Sequence, residues 1–381
     1  MKRFFAVTMA VLMTAALCGC GVVQNPPAST GGPAAGEANT AVTAASPDTT
    51  AEPAVPLEGA AVVLKMSHGD GDTSMLSNTW NCYARVFKQS LEVYSGGEVT
   101  LDVHPNDSLG GTTSCLEQCS QGSIDIALSA ASGALAGWVP NVSLFDVPYL
   151  IEDIDACNIV CEGVVRQTVS EELQEAGNMR LLTLVQTAFR NLDTWNRAVR
   201  TVDDVKGMKF RVQEMPAHIA MAESWGTIPS SVAFTELYSA ASTGVIDCYD
   251  QCNYGLFMNN LYENVKYITE TQHAANICIC VMNEQSWAKL TPQQQAAVER
   301  AADDARRATL GVVQANNFNY TNRLEAAGIE IIALSDEQRA TFAGPAYKAG
   351  LAAIQDKVDP EFVTLFESEY QAALRALGRR E

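Results

Sequence analysis

Residues 202–213 read VDDVKGMKFRVQ, and the second half of this stretch alternates apolar with polar side chains. The apolar members are Met208, Phe210 and Val212, and the polar members are Lys209, Arg211 and Gln213. A period of two predicts a β-strand with one buried face. Thr201 and Asp204 have the spacing of a capping box, which predicts a short turn just before the strand. On the polar face, Arg211 is either a solvated edge residue or a clamp for an anion.

Strand and helix patterns alternate on both sides of this stretch. Strand patterns occur at residues 61–69, 98–105, 123–130, 179–189, 244–250, 266–272, 276–283 and 329–334. Helical patterns occur at residues 74–97, 112–120, 154–176, 216–226 and 234–243. This order predicts α/β units with parallel sheets, in which ligands bind beyond the carboxyl ends of the strands.

A much longer helix is predicted further along the chain. Thr291, Pro292 and Gln294 supply its N-cap, a first-turn proline and a capping-box partner. The helical pattern then continues to about residue 327, with Gly311 as the one weak breaker. Because this length is unusual in one globular domain, we expect the helix to brace two domains.

The first twenty residues have the features of a secretory signal peptide. Lys2 and Arg3 precede an apolar run over residues 4–17, which is too short for an ordinary membrane-spanning helix. The run ends in LCGC, which resembles a bacterial lipobox, so we expect cleavage before Cys20 and lipidation of that cysteine. Cys18 is the alternative lipidation site, and a plain secretory signal is the alternative to a lipobox.

Residues 21–60 are rich in Ala, Pro, Thr, Gly and Ser and nearly lack large apolar side chains. Such a segment cannot bury enough surface to offset its ordering entropy, so we expect a disordered tether. The remaining chain is long for one core and suits two domains. The whole chain has a formal net charge of −19 at pH 7, which argues against nucleic acid or an anionic membrane surface as a partner.

Two of the eleven cysteines, Cys18 and Cys20, belong to the lipobox, which leaves nine. An odd number cannot all pair with one another, although an exported protein can form disulfides. A metal cluster is the other functional interpretation, but the chain has neither a CxxC pair nor a zinc-type His/Cys spacing. We favour buried structural thiols, because Cys157 and Cys161 share a helical stripe with Ile154 and Val165.

Seven segments, taken in order, resemble the extracytoplasmic solute receptors of TRAP transporters, the DctP-like family. They are YSGGEVTLDVHPNDSLGG, LEQCSQGSIDIALSA, LFDVPYL, DDVKGMKFRV, FTELYSAASTGVIDCYDQ, LYENVKYIT and WAKLTPQQQAAVERAA. Each segment alone is weak evidence, whereas their order and spacing together are specific. The resemblance extends from about residue 62 to the last helices.

The resemblance implies an α/β, bilobal fold of the periplasmic-binding-protein type (type II), with a hinge and a long helix that bridges both lobes. Lobe I would comprise residues 61–187 with part of 274–316, and lobe II residues 188–273 with part of 317–381. The implied function is a receptor without cofactor or enzymatic activity. It would bind a small carboxylate between the lobes, outside the cytoplasm and held to the membrane by its lipid. It would deliver that ligand to the small and large membrane subunits of a sodium-coupled TRAP permease.

The resemblance also assigns ligand-binding residues. The family's characteristic arginine falls at Arg211, whose planar guanidinium can hold a carboxylate through two parallel hydrogen bonds. A second family arginine falls at Arg190. Phe234 falls where the family packs an aromatic ring against the ligand, although a lone Phe at a helix start is more often a core residue. His68 and Ser129 lie at strand ends that face the cleft in relatives, and His68 is alternatively an ordinary loop histidine.

One segment departs from the family pattern. Where the family has DGxEN, residues 247–251 read DCYDQ, which puts Gln251 at the asparagine position. Its amide can still donate and accept, but with a longer reach. A subfamily with Trp at this position binds a metal beside its ligand, so Gln251 predicts no metal. Ala130 and Gly133 replace an acid and an arginine of sialic-acid-binding relatives, which argues against a sialic acid as the ligand.

Two other functions stay open from the sequence. A sensing receptor that presents the same ligand to a signalling partner would have the same fold and site. The third interpretation is an extracellular enzyme on a similar bilobal fold. Against it, the chain has no Ser-His-Asp order, no G-x-S-x-G motif and no metal-binding pair among its four histidines.

Overall fold

A computed structural model describes residues 61–71, 79–129 and 131–380 of the chain. The predicted signal peptide, the lipidation site at Cys20 and the tether lie outside these residues, as does Ala130. None of the described helices is both long enough and apolar enough to cross a membrane.

Strands and helices alternate along the chain, as the sequence predicts. The strands are β1 (Val62–Ser67), β2 (Val99–His104), β3 (Ile126–Ser129), β4 (Met179–Thr194), β5 (Lys209–Arg211), β6 (Ile228–Ser230), β7 (Cys248–Gln251), β8 (Tyr267–Asn283) and β9 (Glu330–Ile332). The helices are α1 (Thr79–Tyr94), α2 (Thr112–Gln121), α3 (Ile154–Val160), α4 (Val164–Gly177), α5 (Pro216–Ser224), α6 (Leu237–Ser242), α7 (Asn253–Met258), α8 (Glu284–Ala288), α9 (Pro292–Ala326), α10 (Asp336–Ile354) and α11 (Pro360–Ala376).

The nine described strands form one mixed sheet in the order β2-β1-β3-β8-β4-β7-β5-β6, with β9 paired to β8. β1 is parallel to β2 and β3, and β5 is parallel to β6 and β7. β4 and β8, however, run antiparallel to each other and to the neighbouring β3 and β7. The prediction of parallel sheets is therefore wrong at the centre, because the chain crosses from one lobe to the other along β4 and returns along β8.

β4 and β8 are long strands of 16 and 17 residues that pair with each other, with three register shifts. β3 pairs with residues 279–282 of β8, whereas β7 pairs with residues 191–194 of β4. The two groups of parallel strands therefore lie at opposite ends of this long pair, which confirms the predicted bilobal α/β fold. The predicted lobe boundaries, 187/188 and 273/274, fall inside β4 and β8.

Two predicted elements are wrong in detail. Residues 266–272 and 276–283 form one continuous strand, β8, and Gln272 marks the predicted interruption with a positive φ of 46°. The helix predicted over residues 154–176 is divided into α3 and α4, because Gly163 has an extended backbone (φ −92°, ψ −155°). In both places the apolar pattern alone does not show whether the strand or helix continues or is interrupted.

The stretch around β5 has the structure that its alternation predicts. Met208, Phe210 and Val212 are all at most 3% exposed. Thr201 and Asp204 form the predicted capping box before a 3₁₀ turn, with the Asp204 carboxylate accepting from the Thr201 backbone N–H at 2.9 Å. The buried face thus fixes the strand that carries Arg211.

Trp225 packs against β5 in the core of the second lobe. Its ring stacks on Phe210 with centroids 5.9 Å apart and meets the ring of Phe342 edge-on at 5.2 Å. Its Nε1–H donates to the carbonyl of Phe342 at 3.1 Å, so the buried indole leaves no polar atom unsatisfied. Aromatic burial of this extent makes the position of β5 relative to α5 and α10 rigid.

Helix α9 begins with the predicted capping box, in which Thr291 accepts from the Gln294 backbone N–H at 3.3 Å. Its 35 residues span about 50 Å at 1.5 Å per residue. It packs against α1 of the first lobe and α7 of the second, so the predicted bridging helix is confirmed. The C-terminal α11 packs on α3 and α4, which returns the end of the chain to the first lobe.

All nine cysteines of the folded body are buried and none forms a disulfide. The sulfurs of Cys157 and Cys161 come within 3.9 Å of each other, as contacting thiols. Burial raises the pKa of the Cys280 thiol to about 12, which keeps it protonated. These observations agree with the interpretation of the cysteines as small core residues.

Candidate functional site

A cavity of about 140 Å³ lies where the carboxyl ends of strands from both lobes face each other. We call it the interlobe cavity. Its lining residues are Gly69, Asp70, Trp80, Asp107, Thr112, Leu128, Ser129, Ala131, Arg190, Arg211, Gln213, Phe234, Gln251, Cys252, Tyr254, Gly255, Met258, Asn259 and Asn276. A wider mouth of about 780 Å³ shares Asp107, Arg211 and Phe234 with it. This location at strand ends is where ligands bind in open α/β sheets.

Arg211 ends β5 and is a buried cation on the cavity wall, with 7% of its surface exposed. Its Nε–H donates to the carbonyl of Val232 at 3.0 Å, which fixes the plane of the guanidinium. Among the described residues, no carboxylate forms an ion pair with it. Burial lowers the pKa of Arg211 to about 10, so the group keeps its charge at neutral pH while lacking a protein counter-ion.

Arg190 lies in β4 and also lines the cavity, but its charge is already compensated. Its Nε is 2.6 Å from Oδ2 of Asp250, and one terminal nitrogen donates to Oδ1 of Asp250 at 3.1 Å. The other terminal nitrogen faces the side-chain oxygens of Gln251 and Asn276 at 3.4 and 3.3 Å. Burial would raise the pKa of Asp250, but the Arg190 charge and the His273 hydrogen bond hold it well below its usual range.

A second carboxyl group lies beside this pair. Asp193 is fully buried, and burial together with the nearby Asp250 charge raises its pKa well above the ordinary value. The surroundings of Asp193 therefore disfavour its charged form. Among the described residues, the site contains one arginine paired with a carboxylate, Arg190, and one without an ion pair, Arg211.

The structure brings five of the six predicted ligand residues together, namely Arg211, Arg190, Phe234, Gln251 and Ser129. Phe234 is 38% exposed at the start of a 3₁₀ turn, so the alternative that it is a core residue is wrong. The Gln251 side-chain oxygen accepts from the Cys252 backbone N–H at 2.9 Å. The sixth, His68, is 2% exposed at the end of β1 and is not among the lining residues, whereas the next two residues are.

Several lining residues were not predicted from the sequence. Asp70 and Asp107 follow β1 and β2, and the rule that ligands meet strand ends could have identified them. Asn276 lies inside β8, where its amide donates to Thr187 at 3.0 Å and to the Tyr254 hydroxyl at 3.3 Å. No sequence signal marks Asn276, because its place on the cavity wall depends on the continuity of β8.

The lining side chains of the cavity include groups that can bind an anion. In the described part of the chain, no three His, Cys, Asp or Glu side chains are arranged to hold a metal ion. Gln251 stands where a metal-binding subfamily would have Trp. The enclosed volume, the fixed guanidinium and the amide groups can instead select a small polar anion.

Comparison with known proteins assigns the chain to a family. The model of the family described as bacterial extracellular solute-binding protein, family 7 (DctP), matches residues 71–349. A solute-binding protein of Roseobacter denitrificans is 26% identical over 305 residues, which cover 80% of this chain and 91% of the relative. The sialic acid-binding periplasmic protein SiaP of Vibrio cholerae is 26% identical over 272 residues, 71% of this chain and 83% of SiaP.

Among solved structures, a TRAP periplasmic solute-binding protein from Bordetella bronchispeptica has a TM-score of 0.73 and 25% identity. The alignment covers 80% of this chain and 98% of that one, and its electron density was interpreted as pantoate. The family match spans most of the described residues, including Arg190, Arg211 and Gln251. The chain belongs to the DctP family of bacterial extracellular solute-binding proteins.

Proposed function

We propose that this protein is the extracytoplasmic receptor of a TRAP transport system. In this proposal it binds a small organic acid in the interlobe cavity, with the ligand carboxylate on Arg211, and delivers it to a sodium-coupled membrane permease. The protein performs no chemistry on the ligand. Lipidation of Cys20 and the tether of residues 21–60 hold it at the membrane surface.

The observation that carries the proposal is the guanidinium of Arg211. It is 7% exposed, its plane is fixed by Val232, and its charge has no protein partner in the described part of the chain. A buried charge without a partner is costly, and a bound carboxylate would remove that cost through charge-assisted hydrogen bonds. An arginine that served only the fold would be expected to have a counter-ion, as Arg190 has.

Arg190 supports the site in a different way. Its ion pair with Asp250 holds one terminal nitrogen near Gln251 and Asn276, which fixes those amides on the cavity wall. The ligand would then meet one free cation and a set of oriented amides. In this proposal Arg190 still contacts the ligand, but only through the terminal nitrogen that faces Gln251 and Asn276, because Asp250 occupies the rest of its guanidinium.

The relatives support an acid as the ligand class. The Bordetella protein's density was interpreted as pantoate, which is a small carboxylate. The Vibrio relative is named for sialic acid, a larger carboxylate. The volume of about 140 Å³ favours a compact molecule over one of the size of sialic acid.

The direct test is a thermal-shift screen of the mature chain against small mono- and dicarboxylates, with the corresponding neutral carboxamides as matched controls. A ligand at one hundred times its Kd should stabilise the protein by about 2.7 kcal/mol. We expect at least one acid to raise Tm while its amide does not. A broad screen in which no acid changes Tm would contradict the proposal.

The membrane part of the proposal has its own test. In cells that produce the full chain, Cys20→Ser should release the protein from the membrane fraction, whereas Cys18→Ser should leave it attached. Release by Cys18→Ser and not by Cys20→Ser would show that the lipid is attached to Cys18. Reconstitution with the TRAP membrane subunits should give uptake of the identified acid that depends on this receptor and on a sodium gradient.

A further inference from the structure

The interlobe cavity has negative as well as positive charge on its walls. Asp70 and Asp107 line it from the first lobe, directly after β1 and β2. These two strands are parallel, so their carboxyl ends meet at the same edge of the sheet. Both residues therefore lie at the edge of the first lobe that borders the cavity.

Backbone hydrogen bonds to the end of β1 hold the loop that carries Asp107. The Asp107 backbone N–H donates to the carbonyl of His68 at 3.2 Å, and the N–H of Asn106 donates to the carbonyl of Asp70 at 3.0 Å. Asp107 itself has a φ of 51°, in the left-handed region that Asp adopts more readily than most residues in tight turns.

The charge of Asp107 also lacks a partner. No lysine, arginine or histidine of the described residues, including Arg211, forms an ion pair with Asp107. Burial raises the pKa of Asp107, which means that its charged form is partly desolvated without compensation. The cavity thus contains an arginine and an aspartate, on opposite lobes, that do not neutralise each other.

The balance of charge limits the ligand. Arg190 is paired with Asp250, so among the described lining residues Arg211 and Asp107 are a cation and a carboxylate without an ion-pair partner. A dicarboxylate bound to Arg211 would leave its second negative group near Asp107, where like charges repel. A ligand with one negative and one positive group would instead compensate both walls.

We propose that the ligand is a small zwitterion whose carboxylate binds Arg211 and whose cationic nitrogen binds the Asp107 carboxylate on the opposite lobe. This inference rests on the function proposed above and narrows its substrate class. Phe234 and Tyr254 line the same cavity, and aromatic rings attract a cationic nitrogen. A ligand charged at both ends would also connect the two lobes.

The size of the cavity narrows the choice further. An apolar cavity of roughly 150 Å³ can hold benzene, so about six non-hydrogen atoms fit the enclosed part. The wider mouth beside Phe234 leaves room for a short substituent. Small amino acids and betaines have this size.

The test compares molecules that share a carbon skeleton and differ in the nitrogen. Calorimetric titration of the mature chain would pair alanine with lactate, serine with glycerate, aspartate with malate and 4-aminobutyrate with 4-hydroxybutyrate, with proline, glycine betaine and succinate added. We expect at least one zwitterion to bind at least tenfold more tightly than its hydroxy acid and than succinate.

The variant Asp107→Asn keeps the shape of the side chain and removes its charge. It should weaken binding of that zwitterion at least tenfold, as expected for loss of a charge-assisted contact, while leaving the hydroxy acid unchanged or better bound. Asp102→Asn is the matched control, since Asp102 lies in β2 five residues before Asp107, its side chain is 56% exposed and it does not line the cavity.

The outcomes separate this inference from the function it rests on. If hydroxy acids or dicarboxylates bind and no zwitterion does, the zwitterion inference is wrong and the carboxylate receptor stands. Equal loss of zwitterion and hydroxy acid in Asp107→Asn would also overturn the inference. If no acid of any kind binds, both proposals fail. The comparison of ligands on the unmodified protein decides the matter even where the variant does not fold.

Discussion

Arg190 and Asp250 form an ion pair in which the carboxylate is fully buried and the arginine side chain is 4% exposed. Nε and Oδ2 are 2.6 Å apart, and a terminal nitrogen donates to the Asp250 backbone carbonyl at the same distance. The Nε2–H of His273 donates to the same carboxylate oxygen at 3.2 Å. The pair therefore joins β4, β7 and β8 at the cavity wall, and it distinguishes Arg190 from Arg211, which forms no ion pair with any described residue.

The buried pair predicts a strong effect on stability. Asp250→Asn would leave the Arg190 charge enclosed without a counter-ion, which costs about 3–5 kcal/mol when one partner of a buried pair is removed. Urea denaturation should show the loss as a lower midpoint. Asp203→Asn is the control, because the Asp203–Lys206 pair is exposed on both sides and should change stability by less than about 1 kcal/mol. Equal midpoints for both variants would show that the buried pair contributes little.

The burial of Asp146 predicts that the stability of the fold depends on pH. It is 6% exposed, and burial raises its pKa to about 7 from an ordinary value of 3.8, despite a hydrogen bond from Ser132 at 3.3 Å. Between these two values the folded state keeps a proton that the unfolded state has lost. Stability therefore falls as pH rises from about 4 to about 7, by up to about 1.4 kcal/mol per pH unit from this group.

Asp146→Asn should remove that dependence. At pH 8 the variant should be more stable than the natural protein by an amount on the order of a few kcal/mol, and the difference should vanish below about pH 4. Thermal unfolding at a series of pH values measures this, with the exposed Asp356→Asn as a variant that should follow the natural protein throughout. A difference that does not depend on pH would show that Asp146 is charged in the folded state.

The buried cysteines predict how many free thiols a reagent can label. In the proposed mature chain, which would begin at the lipidated Cys20, nine thiols remain, and the structure has all nine buried and unpaired. A thiol reagent should label nine groups in denaturant without reductant, and few or none in the native protein. A count of seven or fewer in denaturant would mean that at least one disulfide forms, with Cys157 and Cys161, 3.9 Å apart, as the first pair to examine.

The sequence supports a large part of this description, for reasons that are local. The alternation around Phe210 and the capping boxes at Thr201 and Thr291 depend on neighbouring residues, and the structure confirms them. Arg211 was identified through a motif in one strand. These features need no knowledge of how distant parts of the chain meet.

The features that were missed depend on long-range pairing. The antiparallel centre follows from the chain crossing between lobes twice, which no local period indicates. The pairing of Arg190 with Asp250 joins residues that are 60 positions apart, so the sequence alone gives two equivalent arginines. Asn276 reaches the cavity only because β8 continues through the predicted break at Gln272.

The central claim is that Arg211 holds the carboxylate of the ligand, and one calorimetric titration tests it most directly. Arg211→Lys keeps the charge and loses the planar pair of donors, whereas Lys209→Arg makes the opposite exchange at the exposed first residue of the same strand. With the acid that binds the natural protein, we expect Arg211→Lys to raise Kd by about tenfold or more and Lys209→Arg to leave it unchanged. An unchanged Kd for Arg211→Lys in a folded protein would contradict the claim.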